Sequence, residues 1–228
     1  MKNGATYASG IVGKAFSLPT TSTNGLDVLE EQTLRENILF PPDPWVEISS
    51  DASLKLPGPL TVAAWVLLDT GASIDGTCQD PVPIPIWNHA TTWWVVIKMY
   101  PTTRAVATSN FRLDINNGCP NFTVTDHFGR NGSAPSLEKI TVGGWHHLAG
   151  VYDRSAVKVY VDGILKNPTP FDGELWTRNS ALCIGGTQRC LATPFRGLIG
   201  EVQLFNRALT EAEIKGIYDA GGVEPGQP

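Results

Sequence analysis

Trp145-His146-His147 is the triplet whose residue types first suggest metal or acid–base chemistry. It sits in the run Gly144–Tyr152, where Trp145, His147, Ala149 and Val151 alternate with His146, Leu148, Gly150 and Tyr152, the period of a β-strand. Neighbouring strand residues point to opposite faces, so the two histidines cannot converge on one ion, and the triplet reads as packing. Glycoside hydrolysis would need two carboxylates about 5–10 Å apart across the scissile bond. Glu47, Asp114, Asp162 and Glu201 are each isolated in sequence, and no Glu-x-Asp-x-Glu run occurs. No Ser/His/Asp order or phosphate-cradling glycine loop stands out, so the expectation is a non-catalytic protein.

Aromatic side chains offer a different chemistry. Trp87, Trp93, Trp94 and Tyr100 are candidates to stack on the apolar C–H face of pyranose rings, with Asp75 and Asp80 in the polar stretch Thr70–Pro85 accepting hydroxyl hydrogen bonds or serving calcium, which prefers hard oxygen ligands. Trp93 and Trp94 must point oppositely on a regular strand, so one ring is expected in the core and the other outside. The competing reading is that all four aromatics fill the interior and that the two acids are merely solvated.

The elements that would carry these residues are strands. After Tyr152, Asp153-Arg154-Ser155 reverses the chain, Val157, Val159 and Val161 face one way, and Asp162-Gly163 suits a two-residue type I′ turn. Strands are also expected at Lys14–Leu18, Trp45–Ile48, Leu60–Leu68, Ile84–Trp87, Thr92–Tyr100, Arg112–Ile115, Phe122–Thr125, Ala181–Ile184 and Leu198–Phe205. Leu60–Leu68 is nearly all apolar and is expected to be covered on both faces. Residues 126–136 read as a loop, and Leu26–Leu39 as a short surface helix. Thr210-Glu-Ala-Glu213 is a capping box with Leu209 and Ile214 as a hydrophobic staple, starting a helix to about Ala220 that Gly221-Gly222 closes.

The chain has 228 residues and a formal net charge of −5. It carries no basic footprint for nucleic acid and no apolar run of the roughly 20 residues that span a bilayer. The start, MKNGATYASGIVGK, lacks the apolar core of a signal peptide; either a signal was removed or the chain is a piece of a longer one. Four cysteines, Cys78, Cys119, Cys183 and Cys190, include no C-x-x-C pair. Three connectivities are open to them; Cys183 and Cys190 flank the reversal IGGTQR, which would leave Cys78 for Cys119, and four free buried thiols are the alternative. Asn121-Phe-Thr and Asn131-Gly-Ser are glycosylation sequons. These features favour an oxidising, extracellular and secreted setting.

Four stretches in order, NGATYASGIVGKAFSL, LTVAAWVLLD, GWHHLAGVYDRSAVKVYVDG and RGLIGEVQLFNRALTEAEIKGIYDAG, resemble the bacterial laminin G-like members of the concanavalin A-like lectin/glucanase superfamily. The resemblance implies an all-β, two-sheet antiparallel jelly-roll sandwich with one short C-terminal helix, a single domain over residues 1–222 with 223–228 as a tail or linker. It also implies carbohydrate binding, adhesion or protein–protein contact, with a glycan or a cell-surface or matrix protein as partner. Calcium at the rim is expected of such a family, with Asp43 and Glu201 at its acidic positions. The chain departs from the pattern in beginning where a further strand usually precedes, in the longer segment Thr20–Pro42, and in Gly200-Glu201 where an Asp-Glu pair is usual. The missing strand suggests a second reading, a structural subunit of a cell-surface assembly or filament that self-associates through an open N-terminal edge, where proline in Lys14–Leu18 should block it.

Overall fold

The computed structural model describes residues 1–18 apart from Asn3, 44–78 apart from Ser73 and Asp75, 92–100, 108–186 and 195–221. In chain order these form β1 (Thr6–Ser9), β2 (Lys14–Leu18), β3 (Val46–Ile48), β4 (Leu60–Leu68), β5 (Thr92–Tyr100), β6 (Thr108–Asn116), β7 (Cys119–Thr125), β8 (Asn131–Pro135), β9 (Trp145–Tyr152), β10 (Ala156–Val161), β11 (Ile164–Leu165), β12 (Thr169–Pro170), β13 (Leu182–Ile184), β14 (Gly197–Phe205) and helix α1 (Glu211–Ala220). They make two antiparallel sheets. One runs β1-β2-β14-β4-β9-β10-β11, with β12 also on β10; the other runs β3-β13-β5-β6-β7-β8. This is the jelly-roll sandwich expected of the sequence.

The core lies between the sheets because alternate residues of both are apolar. Leu60, Val62, Ala64, Val66 and Leu68 of β4 meet Phe111, Leu113 and Ile115 of β6 and Phe122 and Val124 of β7 in one cluster. At β9 the two sheets come so close that a Cβ on Gly150 would stand 2.2 Å from Cγ of Phe122. The other face of β4 is covered too, as its unbroken apolar run required. Ala63 packs with Ile214 and Leu209, and the Tyr218 ring of α1 stacks on Trp65 at 5.6 Å.

Helix α1 starts at the expected capping box, with Thr210 and Glu213 satisfying each other's backbone N–H. Its end differs in mechanism: Gly221 is right-handed at φ −69°, and what demands glycine there is Trp65, whose Cζ2 would lie 2.3 Å from an added Cβ. Asp162 and Gly163 both adopt positive φ, 52° and 75°, the type I′ geometry expected of that pair.

Two expectations need correction. Asn131–Pro135, placed within a loop, is β8: it pairs with β7 from Asn121↔Pro135 to Thr125↔Asn131, with Asn131, Ser133 and Pro135 outward and only Ala134 as an apolar side chain marking the inward face. Lys14–Leu18 is not an edge, since β2 pairs with β1 on one side and β14 on the other; among the described residues the edge strand is Thr6–Ser9, with Tyr7 56% exposed. The helix read at Leu26–Leu39 and the strand read at Ile84–Trp87 lie outside the described residues.

Cys78 is bonded to Cys119, with Cα atoms 5.5 Å apart. Cys183 is buried on β13, and its expected partner Cys190 lies outside the described residues. No helix among the described residues is long and apolar enough to cross a membrane.

Candidate ligand-binding face

The six-stranded sheet has an apolar inner face and a polar outer one. On β6, Phe111, Leu113 and Ile115 point into the core, which turns Arg112, Asp114 and Asn116 outward; on β7 the same alternation turns Asn121, Thr123 and Thr125 outward beside Phe122 and Val124. The register sets these in rows: Trp94, Asp114 and Asn121 are neighbours across three strands, and so are Arg112, Thr123 and Ser133.

Hydrogen bonds join the rows into one network. Arg112 Nε donates to Asp114 Oδ2 at 2.7 Å, and Asn116 Nδ2 and Asn121 Nδ2 donate to Oδ1 at 2.7 and 3.2 Å. Asn121 Nδ2 also donates to Thr123 Oγ1 at 3.1 Å, while its Oδ1 accepts from Ser133 Oγ at 2.8 Å. Thr92 Oγ1 donates to Asn116 Oδ1, and Thr125 Oγ1 to Asn131 Oδ1, both at 2.7 Å. Asp114 is 1% exposed and the Arg112 side chain 36%. Asp114, Asn121 and Thr123 therefore form a floor, while Arg112, Asn116, Asn131 and Ser133 reach solvent.

Burial pushes the Asp114 carboxyl above its ordinary range, and the Arg112 guanidinium beside it pulls the other way. Every group that bonds it is a donor, so the geometry holds Asp114 as a carboxylate. A buried polar group is tolerated only when its hydrogen bonds are made, and here they are. The result is a rigid floor of fixed donors and acceptors, with Arg112, Asn116, Asn131 and Ser133 reaching solvent above it. Such a surface suits a ligand rich in hydroxyls.

The structure separates the residues singled out from sequence. Trp94 lies on this outer face opposite Asp114, but it is covered by Trp45, Ile97 and Cys183 and is only 8% exposed. Trp93, opposite Ile115 and 1% exposed, fills the inter-sheet core; its role as a sugar platform is corrected, because its ring is sealed between the sheets. Tyr100 ends β5, its side chain not among those described. Asp43, Asp75, Asp80 and Trp87 fall outside the described residues. Glu201 is exposed at a bulge of β14 on the other sheet, with φ 48°. Among the described residues no three His, Cys, Asp or Glu side chains gather as a metal set. Asn121, the first sequon, is committed within the floor; Asn131, the second, is exposed.

The histidine pair is structural, as its strand alternation implied. Thr141 donates its backbone N–H to His146 Nε2 at 3.1 Å, so the proton sits on Nδ1, which reaches Asp162 Oδ2 at 2.8 Å. Asp162 Oδ1 accepts from the His147 backbone N–H at 2.9 Å, so one carboxylate clamps the turn onto β9. His147 itself is buried against Trp65 at 5.3 Å, and burial pushes its pKa from 6.5 down to about 4. The unfolded chain binds the proton first, so this contribution is complete above pH 6.5 and is lost as pH falls towards 4, about 3 kcal/mol in all. Urea titrations at pH 7.5 and pH 4 should show that loss, and His147→Phe should remove it from the difference; an equal pH dependence in the variant would refute the assignment.

The Laminin_G_3 family, described as the Concanavalin A-like lectin/glucanases superfamily, matches residues 84–215. No curated protein sequence matches the chain. Among solved structures, the binding domain of Paraclostridial Mosquitocidal Protein 1 is similar with TM-score 0.61 and 13% identity over 96% of this chain and 46% of its own. The botulinum neurotoxin serotype G binding domain gives 0.59 and 14%, over 96% and 47%. Domain 4 of AbnA, a GH43 extracellular arabinanase from Geobacillus stearothermophilus, seen in complex with arabinotriose, gives 0.59 and 18%, over 94% and 81%. The chain thus spans about half the length of the first two and most of the third. The profile match over more than half of the chain, on a two-sheet sandwich of this topology, places the protein in the Laminin_G_3 family of concanavalin A-like domains.

Proposed function

We propose that the protein is a non-catalytic carbohydrate-binding module that holds its ligand on the outer face of the six-stranded sheet. The observation that carries this reading is the network around Asp114: a rim of Arg, Asn and Ser that reaches solvent over a buried floor of Asp, Asn and Thr, with every floor group satisfied. Among the described residues Asp114 is the one carboxylate in it, and a glycosidase needs two. A glycan on a cell surface or matrix protein is the partner this suggests, in the secreted setting that the Cys78–Cys119 bond favours. The arabinotriose complex of the similar arabinanase domain makes arabino-oligosaccharides a rational first probe.

The test is a glycan array followed by calorimetric titration of whatever binds. Asn116→Ala and Ser133→Ala should each lower affinity about tenfold, or about 1.4 kcal/mol, measured well below each variant's melting temperature, because each also removes a donor from a floor group. A wild-type chain that binds no saccharide overturns the reading. Titration with and without calcium also tests the expected ion at Asp43 and Glu201; a native-state ligand raises the melting temperature by mass action, and no shift at millimolar calcium removes it. The second reading, assembly by strand addition, now rests on β1 as the sheet edge with Tyr7 exposed. Gly10 donates to Gly13 across the hairpin, so the N–H of Ser9 faces the open edge; proline at Ser9 should reduce any concentration-dependent oligomer, and a strict monomer across a hundredfold dilution excludes it.

A further inference from the structure

We infer that Trp176 is the aromatic platform at the far end of the same face, which makes it a site for an oligosaccharide rather than for a single sugar. The inference rests on the reading of that face as a carbohydrate site. Three observations carry it. The chain at Leu175 bridges antiparallel to Asp126, and Trp176 donates its backbone N–H to the Thr125 carbonyl at 3.1 Å. Leu175 belongs to the inter-sheet core, so the alternation of an extended segment turns Trp176 to the outer side, beside the Thr125–Asn131 end of the polar rows. The indole is half-buried, and the guanidinium of Arg178, two residues on and on the same side, lies 4.1 Å from its ring centroid. That cation–π contact restrains the ring.

The distance defines the ligand class. Asn121, level with Asp114, and Thr125, level with Trp176, are four residues apart on β7, about 13 Å at a strand's rise per residue. One pyranose ring cannot bridge that span, and a short oligosaccharide can. Hydrophobic stacking on Trp176 at one end and hydrogen bonding around Asp114 at the other would be realised together only by a ligand of that length. A rigid, restrained indole loses little freedom when it is covered.

Titration of the intact chain with the mono-, di-, tri- and tetrasaccharides of the sugar that the array identifies, beginning with the arabinose series, tests this. Wild-type affinity should rise at least tenfold from monomer to trimer. Trp176→Ala should lose most of that gain, and Trp176→Phe, which keeps a ring and the packing, should lose less. Affinity that is flat with length, or a Trp176→Ala variant that keeps the gain, overturns the inference while leaving the Asp114 face intact as a sugar site. If Trp176→Ala does not fold, the Phe variant with Arg178→Ala decides it: unchanged trimer affinity in both overturns the platform. Binding of no saccharide at all fails the reading of the face, and this inference with it.

Discussion

Trp93→Ala should cost the protein about 3–5 kcal/mol, a fall in Tm of roughly 6–20 °C for a chain of this length. The ring is among the largest fully buried side chains and stands in the main cluster with Phe111, Leu113 and Ile115, so its removal leaves a cavity that a paired strand cannot collapse to fill. Trp93 Nε1 has no hydrogen-bond partner, and a buried unmet donor already costs free energy. Trp93→Phe should therefore lose much less than Trp93→Ala, because it removes that donor while keeping most of the volume. Trp94→Ala should fall between them, its smaller cluster on the outer face being bounded by Trp45, Ile97 and Cys183. Urea denaturation of the three variants checks the order, and a Phe variant as unstable as the Ala variant would refute the account of the indole N–H.

The adjacent tryptophans show what strand alternation makes legible. It predicts that they point oppositely, and they do. It does not tell that the outer ring would also be covered, because Trp45 and Cys183 reach it from β3 and β13, far away in sequence. Nor does it register the bulge between Trp94 and Val96. That extra residue resets the alternation, so that Lys98, opposite Phe111, ends up 1% exposed with its ammonium donating to the Ser180 carbonyl at 2.6 Å. Burial lowers the pKa of that ammonium.

The ligand face carried a signal that isolated carboxylates concealed. Asp114 is alone in sequence, but Arg112, Asp114 and Asn116 alternate with Phe111, Leu113 and Ile115. Asn121, Thr123 and Thr125 repeat the pattern after Asn117-Gly118, a two-residue hairpin signal. Two consecutive strands of strict polar–apolar alternation with carboxamides on the polar side point to a face rather than to a residue. The third strand, β8, was hidden because Gly132 and Pro135 mimic a loop. Gly132 is required there by close approach: an added Cβ would meet Cγ of Phe171 at 2.4 Å. The segment holding Trp176 has almost no strand signature, since only the Asp126↔Leu175 bridge ties it to the sheet, and such a bridge is a tertiary fact.

Replacing Cys78 and Cys119 together by alanine should lower the unfolding free energy by about 4 kcal/mol, the chain-entropy value for a loop of their 41-residue separation. The bond matters because of what it closes. Cys119 opens β7 just beyond the positive-φ turn Asn117-Gly118, and the segment before Cys78 packs on that turn: Lys139 Nζ donates to the Ile74 carbonyl, and a Cβ on Gly76 would stand 2.3 Å from Cγ of Asn117. The cross-link thus ties Cys78 to the start of β7, where Cys119 stands opposite Asn116, which accepts a hydrogen bond from Thr92 at the rim of the ligand face. Under reductant the wild type and the double variant should have equal stability, since both then lack this constraint on the unfolded chain. A loss under about 1 kcal/mol would mean that the unfolded ensemble already holds the two segments together. If the bridge also pre-organises the rim, saccharide affinity should weaken in the double variant under conditions where it is still folded; unchanged affinity would confine the bond to stability and leave Asn116 held by Asp114 and Thr92 alone.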